Sequence, residues 1–445
     1  MEYIIIIIAF LVLLFGNIPI AFIFGSVGLF ALMGSGFRSL EAVRQVYHGV
    51  DSFSLMAIPF FVFAGKIMSA GDITKQLLTI SDSLVGWMKG SLGHVNVMAS
   101  ILFAGISGAA VSDVSALGSM LIPAMEERGY TREYSAAITA ASSMIGPIIP
   151  PSIPVIVYAA TVNMSIGALF AAGIIPGVAL GIILMIMNYY FVVKRGYESK
   201  KEYLTDDMEV VKADNTAKRI FNYLKNIVFS VKNGILALVM FVIIFGGILG
   251  GVFTATEAAG FAAAYAILIT TLILRTLDIK GIWKVLLDSA SMTGMVMLVI
   301  AGGQIISHYL VMEGIPNMIA NYMLNVTEVW WVFMIICVIF LMFVGTFMSL
   351  TPSIIILAPV LTPVAIEFGI HPYHFGLVFV FALNTALITP PVGQVLFIVT
   401  GISDIKFEDL VKEMLPFYFA FIVVLILLIF VQPLTTYLPA LFNLM

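Results

Sequence analysis

The chain alternates long apolar runs with short polar stretches, and a helix needs about 20 apolar residues to cross the hydrocarbon core of a bilayer. Runs at 53–70, 165–193, 227–252, 258–274, 291–311 and 415–439 each predict a span. The first run, 3–34, is too long for one upright helix and breaks at Gly16-Asn17-Ile18-Pro19, which predicts two short or tilted helices. Residues 73–89 differ: Ile73, Leu77, Ile80, Leu84 and Trp87 fall on one face and Lys75, Asp82 and Ser83 on another, the pattern of an amphipathic helix along the membrane surface. Residues 278–288 read as a short interfacial stretch and 314–325 as another surface helix.

Four apolar stretches are interrupted, and the interruptions come in pairs. Residues about 91–126 and about 329–366 have small-residue centres, Ala104-Gly105-Ile106-Ser107-Gly108-Ala109-Ala110 and Gly345-Thr346-Phe347-Met348-Ser349, and read as re-entrant hairpins. The stretches at about 133–163 and about 374–401 are broken by Pro150-Pro151 and Pro390-Pro391. Proline removes a donor and clashes with the preceding turn, so each doublet frees carbonyls that a continuous helix would satisfy, which is costly in hydrocarbon unless something binds them. A lone doublet would read as a kink, because membrane helices tolerate proline. Two doublets in corresponding positions read as a site.

The correspondence is a repeat. At an offset of 240, Phe103 falls on Phe343, Gly105 on Gly345, Pro123 on Pro363, Gly129 on Gly369, the two Pro-Pro doublets on each other, and Pro176 on Pro416. The chain then divides into a first repeat over 1–193, a hydrophilic cytoplasmic linker over 194–225 and a second repeat over 226–445. Lysine and arginine mark cytoplasmic ends of spans. Lys89, Arg128 and Arg132 flank the first hairpin and none flanks the second, so the hairpins enter from opposite faces. The resulting expectation is an all-α polytopic membrane protein of two inverted repeats, each with five spans and one re-entrant hairpin. Inverted repeats with broken helices meeting near the midplane are the architecture of secondary transporters.

Composition narrows the chemistry. Of 445 residues, 61% are hydrophobic and 10% charged, with a net charge of -4, far from the roughly 25% charged residues of soluble domains. No basic face suits nucleic acid, and a single cysteine, Cys337, excludes an internal disulfide and a cysteine metal cluster. No Gly-x-x-x-x-Gly-Lys-Ser/Thr loop occurs, so an ion gradient is the expected energy source. An intramembrane aspartyl protease would need two membrane-facing aspartates, and Asp113 is alone near a tip; no enzyme activity is expected. Asp113 reads equally as a cap of the second half-helix or as a proton-carrying or substrate group. Glu257, after Thr254 and Thr256, reads as a helix cap, and Lys66 as a side chain snorkelling to the interface.

A dehydrated sodium ion takes hard oxygens, which unwound carbonyls and hydroxyls supply without adding charge. The first candidate sodium site combines Gly105 and Ser107 at the tip with Ser142, Ser143, Gly146 and Pro150 at the break. The second combines Gly345, Thr346 and Met348 with Asn384, Thr385, Ile388 and Pro390. Arginine is absent from both tips and both breaks, so an anionic substrate would rely on hydroxyls and helix N-termini.

Residues 103–118 (Phe-Ala-Gly-Ile-Ser-Gly-Ala-Ala-Val-Ser-Asp-Val-Ser-Ala-Leu-Gly), Ile145 to Pro154, Gly251 to Ala259 and Thr389-Pro390-Pro391-Val392-Gly393 resemble the large membrane subunit of tripartite ATP-independent periplasmic (TRAP) transporters, over the whole chain. The resemblance implies an elevator-type fold, similar to the ion transporter superfamily, in a bacterial inner membrane. It implies sodium-coupled symport of a small organic acid anion, with a separate small four-helix membrane subunit, a periplasmic substrate-binding protein and the surrounding membrane lipid as partners. It also implies sodium ions as the only metal, two sites flanking one substrate site, and substrate contacts near Ser107, Ser152 and Ser349. The family's second tip often reads Gly-Thr-Phe-x-Asp, whereas Ser349 occupies the last position here. A stand-alone sodium/dicarboxylate symporter of related architecture is the alternative.

Overall fold

A computed structural model describes residues 2–16, 18–35, 39–197 and 216–445, and among them every regular element is a helix. The first part comprises α1 (Glu2–Phe15), α2 (Ile20–Gly34), α3 (Ser39–Val50), α4 (Ala57–Ala70) and α5 (Ile73–Val85). There follow α6 (Ser91–Ser107), α7 (Ala110–Glu127), α8 (Arg132–Ser143), α9 (Ile153–Thr161) and α10 (Ile166–Arg195). Next come α11 (Thr216–Asn233), α12 (Ile235–Phe241), α13 (Gly247–Leu249), α14 (Ala255–Leu268), α15 (Ile279–Met312) and α16 (Ile315–Val326). The last are α17 (Trp330–Phe347), α18 (Leu350–Glu367), α19 (Pro372–Ala386), α20 (Gln394–Ser403), α21 (Phe407–Phe430) and α22 (Pro433–Leu441). Among the described residues, seven helices are long and apolar enough to cross a membrane, or eight if the bent pair 225–233 and 235–249 is one span.

Local chemistry explains many boundaries. Thr131, Ser152 and Ser165 accept hydrogen bonds from the backbone N–H groups of Tyr134, Val155 and Ala168, and Asp278 from that of Gly281. Each bond satisfies a donor that the first turn would leave unpaired. Thr254 and Glu257 form a full capping box, as the sequence suggested. The boundaries also recur at an offset of 240: α6 and α17 end at Ser107 and Phe347, α7 and α18 span Ala110–Glu127 and Leu350–Glu367, and α8 and α19 start at Arg132 and Pro372.

Several expectations change. The interfacial stretch 278–288 and the span 291–311 are one helix, α15, whose 34 residues extend about 50 Å at 1.5 Å per residue. Asp278 caps it and no proline interrupts it, so the polar character of the first turns does not end it. The span expected at 227–252 begins at 235, because α11 carries the chain to Asn233 and the helix then bends by 72°. Of the expected linker 194–225, residues 198–215 lie outside the described residues and α11 starts at Thr216. The polar face of α5 is wet only in part: Lys75 is exposed, whereas Asp82 and Ser83 are each 1% exposed in a helix that packs on α6 and α11. Lys66 does not end free at the interface, since its ammonium donates to the Asp288 carbonyl at 2.7 Å.

Packing follows membrane rules, with small residues letting backbones approach. A methyl group on Gly302 of α15 would come 2.7 Å from the Ala21 carbonyl oxygen of α2, and one on Gly28 would come 2.9 Å from Ile305. The core is centred on the two broken helices. Residues 134–143 of α8 and 374–386 of α19 are buried without interruption. The halves beyond the breaks cross over: α9 packs on α18, where Tyr158 bonds Thr362 at 2.8 Å, and α20 packs on α7.

Candidate functional site: two helix-pair tips against two broken helices

At the first tip, α6 ends at Ser107, Gly108 turns the chain with φ of 63°, and extended Ala109 leads into α7. The tip touches the first break directly, because Ile153 N–H donates to the Gly108 carbonyl at 3.3 Å. Any side chain on Gly108 would meet the Pro151 carbonyl. Ser107 Oγ donates to Asp113 Oδ1 and accepts from Ala109 N–H at 3.3 Å. Asp113 is fully buried, its Oδ2 has no hydrogen-bond partner, and it faces the α-carbon of Gly146. It does not cap α7, which starts after Ala109 with no side-chain cap.

The other residues of the first candidate site divide. Gly146, Ser152 and the Pro150-Pro151 pair, joined by a cis peptide, lie at the break; Ser152 Oγ donates to the Pro147 carbonyl and caps α9. Ser143 donates to the Ala140 carbonyl at 2.8 Å. Ser142 turns away from the tip: its hydroxyl bonds Asn96 and Ser100, each at 3.0 Å, in a polar seam between α6 and α8 that Thr139 extends. Gly105 faces the Phe241 ring of α12, so its missing side chain makes room for that helix.

At the second tip, α17 ends at Phe347, and extended Met348 and Ser349 lead into α18. Gly345 packs on Leu383 and Ala386 of α19. Gln394, the first residue of α20, donates its side-chain amide to Ser349 Oγ at 2.8 Å and ties tip to break. Thr346 and Thr385 donate to the carbonyls of Phe343 and Phe381, at 2.7 and 2.9 Å. The Ile388 carbonyl is taken by the Tyr418 hydroxyl at 2.7 Å, and Pro390-Pro391 is again cis.

One bond joins the two breaks. The Asn384 amide donates to the Met144 carbonyl at 2.7 Å, and in the repeat alignment these residues are each other's counterparts. Both are fully buried, and Asn384 Oδ1 has no partner. The first break is buried throughout 143–159, whereas Pro391 and Gln394 of the second are exposed. Gln394 and Tyr418 did not stand out in the sequence. Gln394 carried a weak signal, being the residue after Gly393 in a break motif; Tyr418 lies 30 residues from its partner on another helix and carried none. Among the described residues no group of three His, Cys, Asp or Glu side chains could hold a metal ion.

Comparison with known proteins gives this geometry a family. The family described as "Tripartite ATP-independent periplasmic transporter, DctM component" matches residues 7–434. The sialic acid TRAP transporter large permease protein of Vibrio cholerae is 37% identical over 431 residues, covering 97% of this chain and 96% of that one. The C4-dicarboxylate TRAP transporter large permease protein of Pseudomonas aeruginosa is 32% identical, covering 93% of each. The 2,3-diketo-L-gulonate TRAP transporter large permease protein of Escherichia coli is 34% identical, covering 88% of each. The crystal structure of the Alcanivorax borkumensis YdaH transporter shares the fold, with a TM-score of 0.60 at 14% identity over 87% of this chain and 86% of that one. The relatives are permease subunits and not enzymes, and this multi-pass membrane chain belongs to the DctM family of TRAP transporter large permeases.

Proposed function

We propose that this chain is the large permease of a sodium-coupled importer of a small organic acid anion, receiving substrate from a periplasmic binding protein and working beside a separate small four-helix subunit in a bacterial inner membrane. The relatives' names, covering sialic acid, C4-dicarboxylate and 2,3-diketo-L-gulonate, support a compact carboxylate as substrate. The observation that carries the reading is the pairing of each tip with a break, Gly108 with Ile153 and Ser349 with Gln394, around the Asn384–Met144 bond. It supplies unwound backbone beside buried hard oxygens.

Ionic chemistry explains why such a site needs a cation. An anion leaving water for a membrane interior loses its hydration, and a co-bound sodium ion offsets that loss by cancelling charge. Asp113 Oδ2 and Asn384 Oδ1, both buried and unpaired, are hard oxygens of the kind sodium takes. The first sodium site then draws on the break around Ser143, Gly146 and Pro150, with Ser107 supporting the Asp113 carboxylate. The second draws on Thr346, Met348, Asn384, Thr385 and Pro390. The substrate lies between them, near Ser107, Ser152 and Ser349, where the N-termini of α7, α9 and α18 direct partial positive charge at an anion. Inverted repeats would present this site to the two faces in turn by moving the tips and broken helices as one body against the other spans.

Reconstitution tests the tripartite reading. Proteoliposomes holding this chain, the small subunit and the binding protein take up the acids that name the relatives, and omission of either partner abolishes uptake. Robust uptake by this chain alone would instead establish the stand-alone symporter.

A further inference from the structure

Away from the tips, α5 and α11 frame a half-open cavity of about 150 Å³, with Lys75, Gln76 and Thr79 on one side and Phe229, Ser230 and Asn233 on the other. On two of the lining residues, Gln76 Oε1 and Ser230 Oγ are buried without a hydrogen-bond partner, and Ser230 is 1% exposed. Buried polar atoms almost always have a partner, so two unpaired atoms beside one cavity call for one. The Lys75 ammonium stands at the mouth, paired with Asp72 at 3.1 Å with both side chains mostly exposed, and such a pair exchanges readily for another anion.

The surroundings say what kind of occupant. Both helices are amphipathic, and α11 carries Lys218, Arg219, Lys225 and Lys232 along its sequence. The charge bias of the loops assigns both helices to the cytoplasmic face, whose leaflet is anionic. We propose that the cavity binds a phospholipid headgroup, specifically a phosphodiester that carries an N–H or O–H donor beyond the phosphate. The phosphate accepts from the Lys75 ammonium, the Asn233 amide and the Ser230 hydroxyl. The ethanolamine N–H or glycerol O–H donates to Gln76 Oε1, which a choline headgroup, lacking any N–H, cannot do. The occupant has a mechanical consequence. The chain bends by 72° at Gly234, against which Ile80 of α5 packs, and α5 packs on α6, one arm of the first helix pair. A bound headgroup therefore ties the bend to the helix that supports the first tip.

Titration of the delipidated full chain in detergent, read by native mass spectrometry, tests this with phosphatidylethanolamine, phosphatidylglycerol and phosphatidylcholine. The first two are retained at least about tenfold more tightly than the third. Gln76→Leu removes that preference, whereas Ser230→Val and Lys75→Ala, the latter at an exposed position where folding is not at stake, weaken retention of all three lipids by a similar factor and leave the preference in place. Equal retention of all three lipids, or unchanged retention in all three variants, overturns the proposal and leaves a cavity that holds water only. Displacement of the lipid by phosphoethanolamine at equal concentration overturns the lipid source in favour of a soluble phosphate ester.

Discussion

Asn384 is the residue whose loss separates two coupled breaks from two independent kinks. Asn384→Ala removes an amide that reaches the Met144 carbonyl at 2.7 Å with both residues fully buried. A buried acceptor left without its donor costs about 1–3 kcal/mol. If that cost falls on the ion-bound arrangement, the sodium concentration for half-maximal uptake rises about 5- to 150-fold. Because the bond spans the two breaks, the slope of the sodium dependence also falls toward that of independent sites. The assay is initial uptake into proteoliposomes against external sodium, with thermal unfolding of the purified variant as the control for folding. Ser142→Ala is the matched comparison, since the Ser142 hydroxyl serves the α6–α8 seam and not the joint between breaks. An Asn384→Ala protein that loses uptake only in proportion to lost folded protein, with unchanged half-saturation and slope, would refute the coupling.

Three further outcomes follow from the same geometry. Pro150→Ala or Pro390→Ala restores a backbone donor and lets the helix close over its carbonyls, so sodium dependence weakens more than expression does; normal sodium titrations in both variants would reduce the doublets to kinks. Gly108→Ala forces a side chain into a φ of 63° and against the Pro151 carbonyl, costing about 1–2 kcal/mol from the backbone alone, and it lowers the melting temperature and uptake together; Gly129→Ala, also at positive φ but with open space around it, lowers stability and leaves the sodium dependence unchanged. Tyr418→Phe strips the Ile388 carbonyl of its hydroxyl partner at 2.7 Å, costs about 1–3 kcal/mol, and shifts the sodium half-saturation while leaving lipid retention at α5 and α11 as it was.

The features legible in the sequence are those set by local chemistry. Proline doublets and small-residue centres mark backbone that cannot continue a helix, so both tips and both breaks could be located before their partners were known. The Thr254–Glu257 capping box was legible for the same reason. Long-range pairing was not. Nothing near Asn384 announces the Met144 carbonyl 240 residues away, and Ser142 looked like a tip-facing hydroxyl until α6 supplied Asn96 and Ser100. Asp82 and Ser83 gave α5 the pattern of a wet surface helix, but a polar face reads the same whether water or a neighbouring helix covers it. Likewise α15 runs through a polar first section because its cap and uninterrupted backbone sustain it beyond the apolar window.

Coupling to sodium is tested most directly in proteoliposomes containing the complete transporter, by measuring organic acid uptake under an inward sodium gradient and, separately, under an inward proton gradient with sodium absent. Accumulation is expected only with the sodium gradient, accompanied by entry of radioactive sodium in fixed proportion to the acid. Equal accumulation under the proton gradient alone would contradict it, and would move the burden of coupling from unwound backbone to Asp113.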